Sequence, residues 1–353
     1  MNYIDAINNA AASVDRTIRL MEVCGTHTVS IFRAGIRQML PPNVRLVSGP
    51  GCPVCVTDDA CIDKAIAYAK RDDNIIATFG DMLKVPGSRS SLALAQAEGA
   101  DVRVIYSPLD AVDIARDNPA RKVIFLAAGF ETTAPTAAAA VLAAQAQSIG
   151  NFFVLSAHKL VPPIMRSLLD SKETRVDGFI LPGHVAVVIG VEAFDFLSRD
   201  YRLPGVVTGF EPHEILRALA RLIEMIAERR AEIVNEYAVV VRREGNPAAR
   251  SILERVYDVA DADWRGIGRV PSSGLKMRDD FAAFDIERVD PISVETSARN
   301  SKCRCGEVLR GAINPPECPL FSRACEPLHP IGPCMVSVEG VCAAWFKYNQ
   351  QLE

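Results

Sequence analysis

Eight short apolar runs, separated by stretches of helical periodicity, constrain this chain more than any other feature. They fall at residues 20–23, 44–47, 75–79, 102–106, 123–127, 152–155, 179–181 and 205–207. A strand that is nearly all apolar has both faces covered, which is the condition of a parallel sheet flanked by helices. Between the runs, residues 28–41, 62–70, 90–98, 136–146 and 214–230 read as helices, and residues 1–19 have helical composition. The last of the five carries Ile215, Leu216, Leu219, Leu222, Ile223 and Ile226 on one face, as a helix lying on a sheet does. Alternation of this kind predicts an α/β fold.

Eight strands and 353 residues exceed one comfortable core, so the reading is two α/β parallel-sheet domains of similar build followed by a cysteine-rich region. The expected divisions are 1–117, 118–235 and 236–353. In the third part the alternation fades, residues 245–300 are mixed, and residues 265–275 (R-G-I-G-R-V-P-S-S-G-L) read as a loop.

Lys and Arg number 39 against 43 Asp and Glu, a formal charge of −4 that offers no electrostatic footprint for nucleic acid or an anionic membrane. No run approaches the ~18 apolar residues of a membrane span. The start carries Asp5, Asn8, Asn9 and Asp15 where a secretory leader would be basic and then apolar, so a cytoplasmic protein is expected.

The ten cysteines are distributed unevenly: Cys24, Cys52, Cys55 and Cys61 near the start, then Cys303, Cys305, Cys318, Cys325, Cys334 and Cys342 near the end. In a reducing compartment such clustering favours metal binding or redox work over structural disulfides. Residues 49–55 read G-P-G-C-P-V-C, where glycine and proline present two thiols in a tight turn. A C-x-x-C pair suits a reversible disulfide, half of a tetrahedral metal site, or a grip on a softer metal centre. Upstream, M-E-V-C-G-T-H-T (21–28) places Cys24 and His27 at a strand-to-helix corner. All four residues lie at strand ends, where open parallel sheets bind ligands, so they can converge on one cleft. Cys61 reads as packing.

The six C-terminal cysteines, in irregular spacing, suit an iron-sulfur cluster or a four-cysteine structural zinc. A four-cysteine cluster would leave two thiols over. Other strand-end loops hold Asp81 and Lys84 (F-G-D-M-L-K-V-P-G), Glu131 (A-G-F-E-T-T-A-P-T), His158 (S-A-H-K-L-V-P-P), His184 (L-P-G-H) and His213 (T-G-F-E-P-H). Asp81, Lys84, Glu131 and His184 are candidates to support the cysteine site. None of the loops is a G-x-G-x-x-G or Walker sequence, so no nucleotide site is expected.

Taken in order, M-E-V-C-G-T-H-T, G-P-G-C-P-V-C, F-G-D-M-L-K-V-P-G, G-F-E-T-T-A-P-T, L-P-G-H and the closing C-R-C-G to V-C-A-A-W resemble the HypD family of hydrogenase maturation factors across residues 20–348. The resemblance implies a scaffold on which one iron of a nickel-iron hydrogenase acquires two cyanide ligands and one carbon monoxide. It implies HypC as a partner sharing the iron and HypE as the cyanide donor. It also implies a 4Fe-4S cluster on Cys305, Cys318, Cys325 and Cys342, with Cys303 and Cys334 as a redox pair beside it. By the same resemblance the fold is two Rossmann-like parallel-sheet domains plus a C-terminal iron-sulfur cluster domain. Cys24 would hold the iron, His27 would orient its ligands, and Cys52 and Cys55 would cycle between dithiol and disulfide to hand electrons to the cyanation step. Iron binding would be shared among Cys24, Cys52 and Cys55, in a division left open. The rival readings are an iron-sulfur thiol-disulfide oxidoreductase acting on a protein and a zinc-stabilised scaffold.

Overall fold

All eight apolar runs are strands in the computed structural model, which describes residues 2–171, 174–295 and 302–349. They are β1 (Ile18–Glu22), β2 (Val44–Ser48), β3 (Asn74–Thr78), β4 (Val102–Val104), β5 (Lys122–Gly129), β6 (Phe152–His158), β7 (Gly178–Pro182) and β8 (Gly205–Thr208). A ninth, β9 (Ile233–Asn235), is too short and too half-buried to stand out in the sequence. The strands make two parallel sheets: one of five in the order β2-β1-β7-β8-β9 and one of four in the order β4-β3-β5-β6.

The chain does not build these sheets one after the other. It lays down β1 and β2 in the five-stranded sheet, makes the whole four-stranded sheet, and returns for β7, β8 and β9. The expected division at 117/118 therefore runs between β4 and β5, strands of the same sheet. An apolar run buried on both faces looks alike in either sheet, so the pattern that identifies a strand says nothing about its neighbours.

Helices cover both faces. The amphipathic helix Pro212–Ala227 buries Ile215, Leu219, Leu222 and Ile223 in a core shared with Ile7 of the helix Tyr3–Ala12 and with Leu20 and Ile180 of the five-stranded sheet. The helix expected over 28–41 is instead two, Gly25–Arg33 and Ile36–Met39. They are parted at Gly35, whose φ of +64° is left-handed and closes the first helix.

Residues 265–275 are not a loop. An antiparallel hairpin of β10 (Tyr257–Trp264) and β11 (Gly268–Met277) occupies this stretch, and its turn is residues 265–267. Pro271 and the left-handed Ser272 coincide with an irregular register between Ala260 and Ala262, so turn-like composition here marks a bulge. The hairpin serves both cores: Tyr257, Leu275 and Met277 pack with the four-stranded sheet, Trp264 and Val270 with the five-stranded one. Residues 296–300 of the mixed stretch lie outside the described residues, as do both ends of the expected divisions, 1 and 353. Among the described residues no helix is long and apolar enough to cross a membrane.

Candidate functional site

The strand order of the five-stranded sheet reverses between β1 and β7: β2 lies on one side, β8 and β9 on the other. Such a reversal opens a crevice beyond the carboxyl ends of the strands. Cys24 follows β1 at that point, Gly183 and His184 follow β7, residues 49–55 follow β2, and Gly209 and Phe210 follow β8. Cys24 and the C-x-x-C turn are thus neighbours because their strands are.

Two close backbone approaches fix their alignment. Gly25 N–H donates to Gly51 O at 3.0 Å and Gly49 N–H to Glu22 O at 2.7 Å. A Cβ on Gly51 would lie 2.2 Å from Cys24 N and 2.3 Å from Val23 C, so only glycine fits there. Cys24 stands at the N-cap of the helix Gly25–Arg33 and is half-buried. Burial pushes its thiol up to about 11; the backbone N–H of His27 works against that rise and the Glu339 carboxylate adds to it.

His27 is fully buried. Its Nε2 lies 2.9 Å from Gly209 O, and a carbonyl only accepts, so Nε2 carries the proton. Its Nδ1 keeps a lone pair with no partner. Burial pulls the imidazole down to about 4, so the ring is neutral at pH 7. It stacks on Phe210 at 4.6 Å, and the exposed His184 lies 4.1 Å from the same phenyl ring.

Cys52 and Cys55 are joined as a disulfide across the one-turn helix Pro53–Val56, with Cα atoms 5.3 Å apart, and both are buried. Cys55 Sγ is 3.9 Å from the carbonyl oxygen of Pro333, which opens the turn Pro333–Met335. Cys334 in that turn is buried, and its thiol is pushed well above the usual range, first by a side-chain hydrogen bond with Cys342, then by burial and by the charges of Cys342 and Cys303. All six C-terminal cysteines line one pocket with Val308, Leu320, Phe321, Gly332 and Met335. Among the described residues no three Cys, His, Asp or Glu side chains are grouped about a single point as one metal ion would hold them.

The segment after that turn closes the crevice. Thr26 Oγ1 donates to Glu339 Oε1 at 2.7 Å, and a Cβ on Gly25 would come within 2.7 Å of Glu339. Ser337 Oγ donates to Asp81 Oδ2 at 3.1 Å and accepts from Glu339 N at 3.2 Å. Asp81 thereby meets the lid of the site, whereas Lys84, on the same loop, is simply exposed.

Glu131 makes no hydrogen bond to these residues: its Oε1 accepts from Val161 N at 2.8 Å at the start of the helix Val161–Asp170, and its buried Oε2 has no partner. Burial pushes this carboxyl from 4.5 up to about 7. The native chain therefore holds the proton more tightly than the unfolded chain, and stability is lost as pH rises from about 4.5 through about 7. Glu131→Gln keeps an oxygen for Val161 and cannot ionise. It is expected to match the parent near pH 4.5 and to exceed it by about 3 kcal/mol at about pH 8 in urea denaturation; equal stabilities at the higher pH would refute the assignment.

Cys61 is buried, with its thiol pushed up to about 12, first by burial, in keeping with a packing role. His213 is exposed at the start of the helix Pro212–Ala227. Glu22, Phe210 and Glu339 escaped the sequence reading. Glu22 is fully buried in β1 and accepts from Thr28 Oγ1 at 2.8 Å and from Ser48 Oγ, tying β1, β2 and the Cys24 helix together. Burial raises its carboxyl to about 7. Its signal was available: one carboxylate between apolar neighbours in L-M-E-V, directly before Cys24.

A family model named HypD and described as "Hydrogenase formation hypA family" matches residues 1–349. The chain is 46% identical to "Hydrogenase maturation factor HypD" of Azotobacter vinelandii, over 99% of this chain and 98% of the relative. It is 42% identical to the proteins of the same name from Escherichia coli K12, over 96% and 91% of the two chains, and from Cupriavidus necator, over 97% and 92%.

Proposed function

This chain belongs to the HypD family, and on that premise we propose that it is the scaffold on which the iron of a nickel-iron hydrogenase acquires two cyanide ligands and one carbon monoxide. The observation that carries the reading is that the Cys24 corner and the loop holding the Cys52–Cys55 pair lie side by side at the sheet's switch point, tied by backbone hydrogen bonds, under a lid drawn from the six-cysteine region. Iron is the cargo here. Cys24 holds it jointly with a cysteine of HypC, and HypE brings cyanide, all within the cytoplasm. Binding costs the Cys24 thiol its proton, since the thiolate is the ligand.

His27 contributes no positive charge to oppose a ferrous ion, and its Nδ1 lone pair accepts a hydrogen bond from water or a protonated ligand on the iron. Phe210 against its ring keeps bulk water away. In the disulfide form Cys52 and Cys55 are not thiolates; taking up two electrons and two protons breaks the S–S bond and leaves two thiols beside Cys24.

The C-terminal set fits a 4Fe-4S cluster on Cys305, Cys318, Cys325 and Cys342, because the pocket wall offers sulfur and apolar side chains only. Such a cluster, when bound, supplies electrons one at a time. Cys303 and Cys334 are the accompanying redox pair, and the Pro333–Met335 turn puts Cys334 one residue from the carbonyl that Cys55 touches.

Metal and acid-labile sulfide analysis of chain purified without oxygen tests this. About four iron and four sulfide per chain are expected, followed by infrared bands of cyanide and carbonyl once the chain is combined with HypC and HypE. Zinc in a colourless protein would remove the electron source. A cluster with no such bands would leave an iron-sulfur thiol-disulfide oxidoreductase acting on a protein, the reading that the Cys52–Cys55 disulfide alone also suits.

A further inference from the structure

The S-A-H end of β6 and the Lys159 that follows it take no part in the site above, yet the lysine is buried. Lys159 is 4% exposed, and its ammonium has Asp58 Oδ2 at 3.7 Å as its ion-pair partner. Lysine is rarely buried unless well paired, and an ammonium has three N–H donors to place. Asp58 is a divided partner: its Oδ1 accepts from Cys61 N at 2.9 Å and caps the helix Asp59–Ala69.

Lys159 lines a cavity of about 270 Å³ between that helix, the end of β6 and the hairpin β10–β11. The other groups on its wall do not neutralise it. His158 and the Cys61 thiol beside it are held uncharged at pH 7 by burial. Lys64 and Glu287 pair with each other, and Asp261 and Asp263 turn to Arg269 at 3.7 and 3.4 Å. Lys276, a second cation, stands exposed at the rim. Leu155, Ala60 and Ala262 add apolar wall, and the Ser156 hydroxyl on the same wall donates to Leu275 O at 3.0 Å.

A cavity of about 270 Å³, just below the usual ~300–1,000 Å³ of drug-sized ligand pockets, takes a small ligand together with a few waters at ~30 Å³ each. A buried ammonium whose ion-pair partner stands at 3.7 Å has donors left to place and selects an anion, while Asp58, Glu287, Asp261 and Asp263 on the same wall oppose a second negative charge. We propose that this cavity is a binding site for a small carboxylate-type monoanion, such as acetate or bicarbonate, with Lys159 as its counter-charge. The site stands apart from the iron-assembly reading and does not depend on it.

The test is a titration of the full chain with carbon-13-labelled acetate, labelled bicarbonate and inorganic phosphate, followed by NMR line-broadening of the probe. Saturable one-site binding of acetate or bicarbonate is expected, at least tenfold tighter than phosphate, and at least tenfold weaker in Lys159→Met. Ala60→Leu, which narrows the cavity from the helix side and leaves the lysine in place, is expected to abolish binding and decides the matter if Lys159→Met fails to fold. No saturable binding, tighter binding of phosphate, or an affinity unchanged in a folded variant of either kind would overturn the proposal.

Discussion

Cys24→Ala is expected, on the proposed scaffold function, to abolish iron loading of the complex with HypC while leaving the visible spectrum and sulfide content of the proposed C-terminal cluster unchanged. The change is all-or-none for the cargo iron because it removes the half-buried thiol at the switch point and puts nothing in its place that can bind a metal. It is gentle to the fold. Cys24 is an N-cap that makes no side-chain capping bond, so alanine forfeits none of the ~1 kcal/mol that a capping side chain contributes. Iron and sulfide counts on parent and variant, each with HypC, check this. Loss of both metals together would mean that the switch-point crevice and the six-cysteine pocket are one site.

Gly51→Ala is expected to destabilise the chain by ~4 kcal/mol or more, at the exceptional end of single substitutions. The new methyl would overlap Cys24 N at 2.2 Å and Val23 C at 2.3 Å. Both are backbone atoms, so no side chain can swing aside. Neither loop can retreat cheaply, because the Gly25–Gly51 and Gly49–Glu22 hydrogen bonds hold them together and β1 behind them is buried. Gly150→Ala is the control: nothing lies within 4 Å of a Cβ there, and its φ is not left-handed. Urea denaturation of the two variants compares them, and a Gly51→Ala cost within about 1 kcal/mol of the control would show that the two loops are not interlocked as described.

The strands were legible for a simple reason. In a parallel sheet under helices, each strand must be apolar on both faces, so runs such as 123–127 and 152–155 announce themselves without reference to the rest of the chain. β9 and the hairpin were not legible, because their burial is partial or alternating and because Pro271 and Gly268 carry turn composition into a strand. Glu22 was overlooked for a related reason: a lone acid in a strand reads as an interruption until Thr28 and Ser48 are seen to satisfy it.

The local sequence by itself determined the α/β class, the strand-end placement of Cys24, His27, Cys52 and Cys55, and the family to which their motifs point. These depend on residues within a few positions of one another, where backbone sterics and periodicity act. Only the tertiary structure decided that β1 lies beside β7 and not beside β3, which creates the crevice, and that residue 339 closes over residue 26 across 313 positions. Strand order and lid placement are set by which helical and apolar faces bury one another over the whole chain, and many different orders would satisfy the same local pattern. The four-stranded sheet inserted between β2 and β7 is the clearest case, since no composition shift marks where the chain leaves one core and enters the other.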